Sequence, residues 1–327
     1  MTLLPLTSLA PSHSQLKTLR GIIANLFPAS WLWLASLVLI AYDIFAIKTG
    51  HKFLVDIPKL WPIALAPFAA LPLAWWLSRS RHAEQAAGRP IRLLMMTAFL
   101  IPTMSALAIF DYLMMANSQP LAHEMLSHWD NAIGLDWHAY TEFVARHLWL
   151  NWSLFQAYKY MIQALVIVIG LAIIQRRYDD ANELITLTLM TGIFTIFIGS
   201  FFPAIGAMTF YANDNLRALY PNEVYPSFQQ ELMEVRGSIP KWIDPTHLEG
   251  ITQFPSFHTV CGLLTIYGAR RAWWSFIPAF IFSSLLIGAT PIYGSHYFVD
   301  LLAGAAVAGA GVVMYKWVFN ANSRRKI

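Results

Sequence analysis

Near the C-terminus the sequence reads YGSHYFVDLLAGAAVAGAGVVMYKWVF, residues 293–319, a long apolar stretch with two ionisable groups, His296 and Asp300, near its beginning. A hydrocarbon core about 30 Å thick takes about 20 apolar residues of helix to cross, and this stretch is long enough. Residues 303–311, AGAAVAGAG, are small, which favours close contact between membrane helices. The stretch therefore predicts a membrane-spanning helix that carries polar groups at one end.

The composition of the rest of the chain agrees with a membrane protein. Of its 327 residues, 57% are hydrophobic and only 12% are charged, whereas a soluble domain carries about 25% charged residues. We therefore predict an all-α, polytopic transmembrane helix bundle with about eight spans. These spans cover roughly residues 30–47, 60–78, 92–116, 152–174, 184–206, 254–270, 273–291 and 296–319.

The spans divide the chain into two predicted units. Residues 1–91 form an N-terminal tail with two accessory helices, and residues 92–327 form a six-helix core. Two long polar segments, 117–151 and 207–253, interrupt the core. The first carries three tryptophans and predicts short amphipathic helices at the membrane interface, in which Glu142 and Arg146 have i,i+4 spacing.

The basic residues predict an orientation for the bundle. With the N-terminus in the cytoplasm, 14 of the 22 lysines and arginines fall in cytoplasmic segments, as the positive-inside rule requires. Both termini are then cytoplasmic, and residues 117–151 and 207–253 are extracytoplasmic. Compact loops and short tails favour a bacterial inner membrane. The net charge of +4 is explained by these loops, and no basic run indicates binding to nucleic acid.

His296 and Asp300 have the spacing of neighbours on one helix face. A carboxylate there can accept the imidazole Nδ1–H, which leaves Nε2 free as a nucleophile and stabilises the cation that follows. Ionisable groups at the edge of a membrane span are costly and are candidates for function. A structural buried hydrogen bond between the two side chains is the alternative.

A second string, FPSFHT (residues 254–259), opens another predicted helix at the same membrane face. Its His258 would lie at a helix start, where backbone N–H groups favour an anion. Ser256 would either donate a hydrogen bond to phosphate or simply cap the helix. His258 could alternatively just face water. Together the two strings predict a phosphate-transfer site made from His258, His296 and Asp300.

These strings resemble motifs of the type 2 phosphatidic acid phosphatase superfamily. The second motif of that superfamily is Pro-Ser-Gly-His, and Pro255, Ser256 and His258 match it. The third is Ser-Arg, five residues, His, three residues, Asp, and its end is matched by His296 and Asp300.

The sequence also departs from these motifs. Phe257 replaces the glycine of the second motif, Ala289 and Thr290 replace the Ser-Arg pair, and the first motif is missing. FPSFHT and HYFVDLLAG are more similar to the inositol phosphorylceramide synthase branch. Members of that branch keep the two histidines and the aspartate without the full phosphatase pattern.

The resemblance implies a ping-pong transfer of phosphate that needs no metal and no cofactor. His296 would attack the lipid phosphorus, Asp300 would orient it, and His258 would act first as acid and then as base. Phosphate still needs positive or donor groups around it. The candidates for that role are Ser256, Arg236, Lys241 and Lys159, with Arg217 as a further possibility.

The sequence leaves three functions open. The first is a lipid phosphotransferase that resembles inositol phosphorylceramide synthases and takes a phospholipid or lipid phosphate as substrate. The second is a lipid-phosphate or polyprenyl-diphosphate phosphatase, with water as the acceptor. The third is a transporter or lipid-binding protein, although the sequence lacks the two related halves that this would favour. Membrane lipids are the expected partners, and no obligate protein partner is evident.

Overall fold

The computed structural model describes residues 27–50, 53–56, 59, 88–220 and 227–324, which are mostly helical. Helices α1 to α7 precede segment 207–253, and helices α8 to α13 lie within and after it. In chain order they are α1 (Ser30–Gly50), α2 (Gly88–Met115), α3 (His123–Ala132), α4 (Trp137–Arg146), α5 (Leu148–Lys159), α6 (Met161–Ile174), α7 (Tyr178–Gly199), α8 (Ala207–Phe210), α9 (Asp214–Leu219), α10 (Ser227–Arg236), α11 (Phe257–Ala269), α12 (Trp273–Tyr293) and α13 (Phe298–Arg324).

Five of the described helices are long and apolar enough to cross a membrane, namely α1, α2, α7, α12 and α13. They correspond to the spans predicted from residues 30, 92, 184, 273 and 296, so the prediction of an all-α polytopic bundle is confirmed. Helix α1 packs on α2 and leaves Leu34, Leu37 and Phe45 mostly exposed, as expected of a helix that faces lipid. The predicted span at 60–78 lies outside the described residues.

The span predicted at 152–174 is not one straight helix. It is divided into α5 and α6, which are bent by 60° at Tyr160. Tertiary packing accounts for the break, because α5 packs mainly on α12 whereas α6 packs on α11 and α7. With this pair counted as one broken span, the described part of the chain holds up to six candidate spans.

The helix predicted at 254–270 is shorter than expected. Helix α11 has 13 residues, which rise about 20 Å at 1.5 Å per residue, less than the thickness of a hydrocarbon core. Pro255 and the capping side chain of Ser256 fix its beginning, and it ends at Ala269. The N-terminus of α11 is therefore recessed by about 10 Å if its other end reaches the opposite membrane surface.

The two long polar segments contain regular structure. Segment 117–151 forms α3, α4 and the beginning of α5, which confirms the prediction of short helices, and Arg146 pairs with Glu142 at 3.2 Å. Segment 207–253 forms α8, α9, α10 and a strand that the sequence did not predict. Strand β2 (Lys241–Ile243) pairs in parallel with β1 (Phe53–Val55), which joins the end of α1 to this segment.

Candidate active site

The two histidine strings meet where α11 and α13 begin. The Ser256 N–H donates to the Asp300 carbonyl oxygen at 2.9 Å. Gly304 permits this approach, because a Cβ at that position would lie 2.5 Å from the Ser256 carbonyl oxygen and 3.1 Å from the Thr259 Cβ. Since residues 254–259 and 293–304 come together directly, the convergence expected from the sequence is present in the structure.

His296 lies between Asp300 and His258. Its Nδ1 is 3.2 Å from Asp300 Oδ2, and its Nε2 is 3.3 Å from His258 Nδ1. A carboxylate accepts only, so His296 Nδ1 carries the proton and Nε2 holds the lone pair. His258 Nδ1 must then donate to His296 Nε2. The arrangement thus fixes the tautomers of both neutral rings and leaves a basic nitrogen on the nucleophile candidate.

The backbone around His296 is held at several points. The Trp137 Nε1–H donates to the His296 carbonyl oxygen at 3.2 Å, and the His296 N–H donates to the Thr290 carbonyl oxygen at 3.1 Å. Thr290, which stands at the arginine position of the resembled motif, therefore contributes its backbone to the site. Both His296 and Asp300 are almost fully buried.

Ser295, next to His296, adopts a left-handed conformation with φ of 55°, which is uncommon for a residue other than glycine. Its surroundings support that conformation. The Ala207 N–H donates to the Ser295 carbonyl oxygen at 2.6 Å, and the Met208 N–H donates to Ser295 Oγ at 2.9 Å. The beginning of segment 207–253 thus fixes the loop that carries His296.

His258 packs against an aromatic ring that the sequence did not single out. The ring of Tyr158, near the end of α5, stacks on the His258 imidazole with centroids 4.6 Å apart and planes 20° apart. The bend after α5 therefore brings an aromatic face to the second histidine. No pattern in QAYKYM signals this contact, because it depends on the break at Tyr160.

The predicted phosphate-binding residues occupy different places. Ser256 is fully buried, and its Oγ accepts from the Thr259 N–H at 3.3 Å, so it caps α11 within the site. Lys159 ends α5 directly after Tyr158 and is exposed, with its Nζ 5.6 Å from the centre of the Tyr160 ring. Among the basic candidates, Lys159 is adjacent in the chain to a residue that contacts His258.

Two other basic candidates, both in segment 207–253, already bind other groups. The Arg236 guanidinium donates to Asn117 Oδ1 at 3.3 Å and to the Gln119 carbonyl oxygen. Lys241 forms an ion pair with Glu231 at 2.7 Å and a second with Glu234. Burial lowers the pKa of Lys241, but these carboxylates outweigh burial and raise it.

Arg217 lies 3.4 Å from Asp214 on α9. Among the described residues, no recorded contact joins Arg217, Arg236 or Lys241 to His258 or His296, and their role in binding phosphate stays a prediction.

Two buried aspartates near the site were missed by sequence reasoning. Asp130 on α3 accepts from the N–H groups of Phe298 and Val299 at 2.9 and 2.8 Å. Asp111 on α2 accepts from the Ile251 N–H at 2.8 Å and the Thr252 N–H at 3.3 Å.

A signal was present for each of these aspartates. Asp130 shares the buried face of α3 with Leu126, and Asp111 is the sole acid in the apolar sequence of α2. An acid on an apolar face or in an apolar helix is costly to bury and therefore indicates a structural or functional role, as it does for Asp300.

No group of three or more His, Cys, Asp or Glu side chains within the described residues is arranged to hold a metal ion. That the reaction needs no metal ion remains a prediction.

Comparison with known proteins gives one match. A family model described as the PAP2 superfamily matches residues 124–314, more than half of the chain, and this range includes all three predicted catalytic residues. No curated protein matches the chain significantly, and no solved structure does. With the family match and the convergence of the two histidine strings, this chain belongs to the PAP2 superfamily, and this membership supports a phosphatase- or phosphotransferase-type lipid enzyme.

Proposed function

We propose that this protein is a metal-independent lipid phosphotransferase, similar to inositol phosphorylceramide synthases, which works through a phosphohistidine. The proposal depends on one observation. Asp300 contacts His296, which in turn contacts His258, and these residues come from two separate helix starts. Such an arrangement contains an oriented nucleophile and a second titratable ring beside it, which are the parts that covalent phosphate transfer requires.

In the first step, His296 Nε2 attacks the lipid phosphorus. A bond forms between nitrogen and phosphorus while the bond from phosphorus to the leaving oxygen breaks. His258, which takes up a proton when the phosphate binds, gives that proton to the leaving oxygen. The His296 ring becomes cationic, and the buried Asp300 carboxylate stabilises it by keeping the hydrogen bond to Nδ1–H.

In the second step, the acceptor hydroxyl replaces the leaving group. His258, now neutral, takes the proton from the acceptor hydroxyl, whose oxygen attacks phosphorus. The bond between His296 Nε2 and phosphorus breaks, and both rings return to their starting protonation states. The same residues serve both halves of the reaction, so the product of the first half must leave before the acceptor enters.

The two rings have to separate before chemistry begins. A reactive complex needs about 3–3.5 Å between the nucleophile and phosphorus, with His258 at a hydrogen-bond distance of about 2.6–3.2 Å from the leaving oxygen. The nitrogens are only 3.3 Å apart in the structure. The contact therefore represents the resting state, and we expect the His258 ring to turn away when phosphate binds.

Positive charge for the phosphate comes in this proposal from Lys159. Its position directly after Tyr158, at the bend between α5 and α6, supports this assignment over Arg236 and Lys241, which already bind other groups. Ser256 contributes mainly by capping α11. We expect Lys159→Ala to raise the KM for lipid about tenfold with a smaller effect on kcat, measured in mixed micelles.

The inositol phosphorylceramide synthase branch that the two strings resemble also lacks the full phosphatase pattern, so Ala289 and Thr290 in place of the Ser-Arg pair support transfer to a hydroxyl over hydrolysis. Purified protein incubated with ³²P-labelled phospholipid, with and without a polyol acceptor, separates the two. The proposal predicts a new labelled lipid that depends on the acceptor. Release of free phosphate without a new lipid would instead establish the alternative, a lipid-phosphate or polyprenyl-diphosphate phosphatase.

The membrane orientation belongs to the same proposal. The excess of basic residues in alternate loops supports cytoplasmic termini and an extracytoplasmic site in a bacterial inner membrane. A C-terminal fusion to green fluorescent protein should fluoresce, and the same fusion to alkaline phosphatase should be inactive. The opposite pair of results would place the site on the cytoplasmic face.

A further inference from the structure

Asp130 occupies an unusual position for an acid. It lies on α3, in segment 117–151, outside both histidine strings, and its side chain is fully buried. A buried carboxylate needs partners that compensate for lost water. Within the part of the chain that the structure describes, no lysine or arginine forms an ion pair with Asp130. The residue therefore has to be explained by its other contacts.

Those contacts are with the backbone of α13. Asp130 Oδ2 accepts from the Phe298 N–H at 2.9 Å, and Oδ1 accepts from the Val299 N–H at 2.8 Å. The first N–H groups of a helix have no partner inside it, and negative charge is favourable there. Asp130 thus caps the N-terminus of α13 from a position 168 residues earlier in the chain.

The capped turn is the one that carries the nucleophile. The neighbouring N–H of Tyr297 donates to Asp300 Oδ2 at 2.8 Å, so residues 297–299 are held by two carboxylates. Asp300 in turn accepts from His296 Nδ1. Because Asp130 fixes the backbone between His296 and Asp300, it controls how these two side chains face each other.

Segment 117–151 makes a second contact beside the same turn. Trp137, at the beginning of α4, donates to the His296 carbonyl oxygen. Burial raises the pKa of Asp130, and the N–H groups of Phe298 and Val299 oppose that rise. The two bonds that fix the turn thus also favour the charged form of this carboxyl group.

We propose that Asp130 is a positioning residue for the proposed phosphohistidine chemistry and that it holds the turn between His296 and Asp300 in its reactive geometry. The inference rests on the proposed function, because it assigns Asp130 an effect on the rate of one chemical step. A group that only stabilised the fold would change the amount of folded protein and leave the rate per folded molecule unchanged.

The test compares Asp130→Asn with the parent protein in detergent micelles. Asparagine keeps the shape but has one acceptor oxygen, and its NH₂ group would face an N–H of the turn. We expect the single-turnover rate of ³²P-phosphohistidine formation from labelled phospholipid to fall about 10–100-fold, since a misplacement of about 1 Å can cost that much. The KM for lipid should stay within about threefold.

Asp244→Asn is the matched control. The Asp244 side chain also accepts from a backbone N–H, that of Thr246 at 3.0 Å, but it lies directly after β2 and outside both histidine strings. This variant should form phosphohistidine at the parent rate. If Asp130→Asn does not fold, Asp130→Ser, which keeps one acceptor, is measured with the same expectation.

The two proposals fail in different ways. If the parent forms no phosphohistidine with any labelled phospholipid or lipid phosphate while His296→Ala is equally silent, the proposed function is wrong. If the parent forms it and the folded Asp130 variant does so at the same rate, the positioning role of Asp130 is wrong and the proposed function stands.

Discussion

The buried acidic residues at one end of the helix bundle and the partly buried ones at the other bind different groups. At the end where α11 and α13 begin, which we call the site end, the buried carboxylates Asp111, Asp130 and Asp300 bind backbone N–H groups. At the other end of α11, which we call the far end, Glu183 pairs with Arg270 at 3.2 Å and Asp180 pairs with Arg271 at 2.9 Å.

This difference indicates the role of the carboxylates at each end. A carboxylate that pairs with arginine neutralises charge and can be replaced with little effect on distant atoms. A buried carboxylate that accepts from two consecutive N–H groups fixes a backbone turn, and its loss leaves donors without partners. Substitutions at the site end should therefore change catalysis, and those at the far end should change mainly stability.

The largest effect is expected from His296→Ala. Removal of the proposed nucleophile should lower lipid phosphate turnover at least about 10³-fold, while the bundle stays folded because Asp300 still binds the Tyr297 N–H. The measurement is labelled-lipid turnover together with thermal unfolding in detergent. His128→Ala on the exposed face of α3 is the control. Turnover by His296→Ala at the parent rate would contradict the assignment of the nucleophile.

Asp300→Asn should be nearly as severe. Its amide can no longer stabilise a cationic His296 and favours the wrong tautomer, which we expect to lower kcat about 10²–10⁴-fold. The amide oxygen can still accept from the Tyr297 N–H, so the unfolding temperature should change little. A steady-state assay of kcat and KM checks this. A variant that loses lipid affinity and keeps kcat would show that Asp300 binds substrate instead.

Asp111→Asn sharpens the comparison at a residue outside the range matched by the family model. One of the N–H groups of Ile251 and Thr252 loses a strong acceptor, so the free energy of unfolding should fall by about 1–3 kcal/mol. The shift in the segment that leads to His258 should lower kcat several-fold. Chemical denaturation and the labelled-lipid assay give the two values. An unchanged kcat would mean that Asp111 contributes only to the stability of the fold.

At the far end, Glu183→Gln tests the other half of the comparison. Glu183 accepts from the Tyr267 hydroxyl at 2.5 Å and pairs with Arg270. Glutamine should keep the hydrogen bond and lose the ion pair, at a cost of about 1 kcal/mol in the free energy of unfolding. Turnover per folded molecule should stay within about twofold of the parent. A loss as large as that of Asp111→Asn would remove the distinction between the ends.

The smallest effect is expected from Asp244→Asn, which removes an exposed ion pair with Lys59, 2.6 Å long, beside β2. The hydrogen bond from Lys59 lowers the pKa of Asp244 below its usual range. A lowered carboxyl pKa stabilises the fold above the ordinary value of about 4, and this contribution disappears as the pH falls further. The variant should melt slightly below the parent at pH 7 and together with it at low pH.

Sequence reasoning recovered the parts of the molecule that depend on local pattern. Apolar runs predicted five described spans, and the spacing of His296 and Asp300 predicted their contact. The predicted reason was wrong in one respect, because His296 lies two residues before the beginning of α13 and not on its face. The pairing of His258 with His296 followed from two strings at helix starts.

What the sequence did not reveal depends on contacts between distant segments. Asp130 binds residues 168 positions away, and its role cannot be read from its neighbours. The bend at Tyr160 contains neither proline nor glycine and arises because α5 and α6 pack on different helices. The parallel pairing of β1 with β2 joins two short segments that show no strand pattern of their own.

The hydrogen bond between His258 and His296 also has a consequence for an idle enzyme. The His258 Nδ1–H occupies the lone pair of His296 Nε2, so a lone water molecule does not meet that nitrogen as a free base. Water brings too few contacts to force the rings apart, whereas a lipid with a phosphate and long tails brings many. The protein would thereby require a complete substrate before it frees the nitrogen of His296.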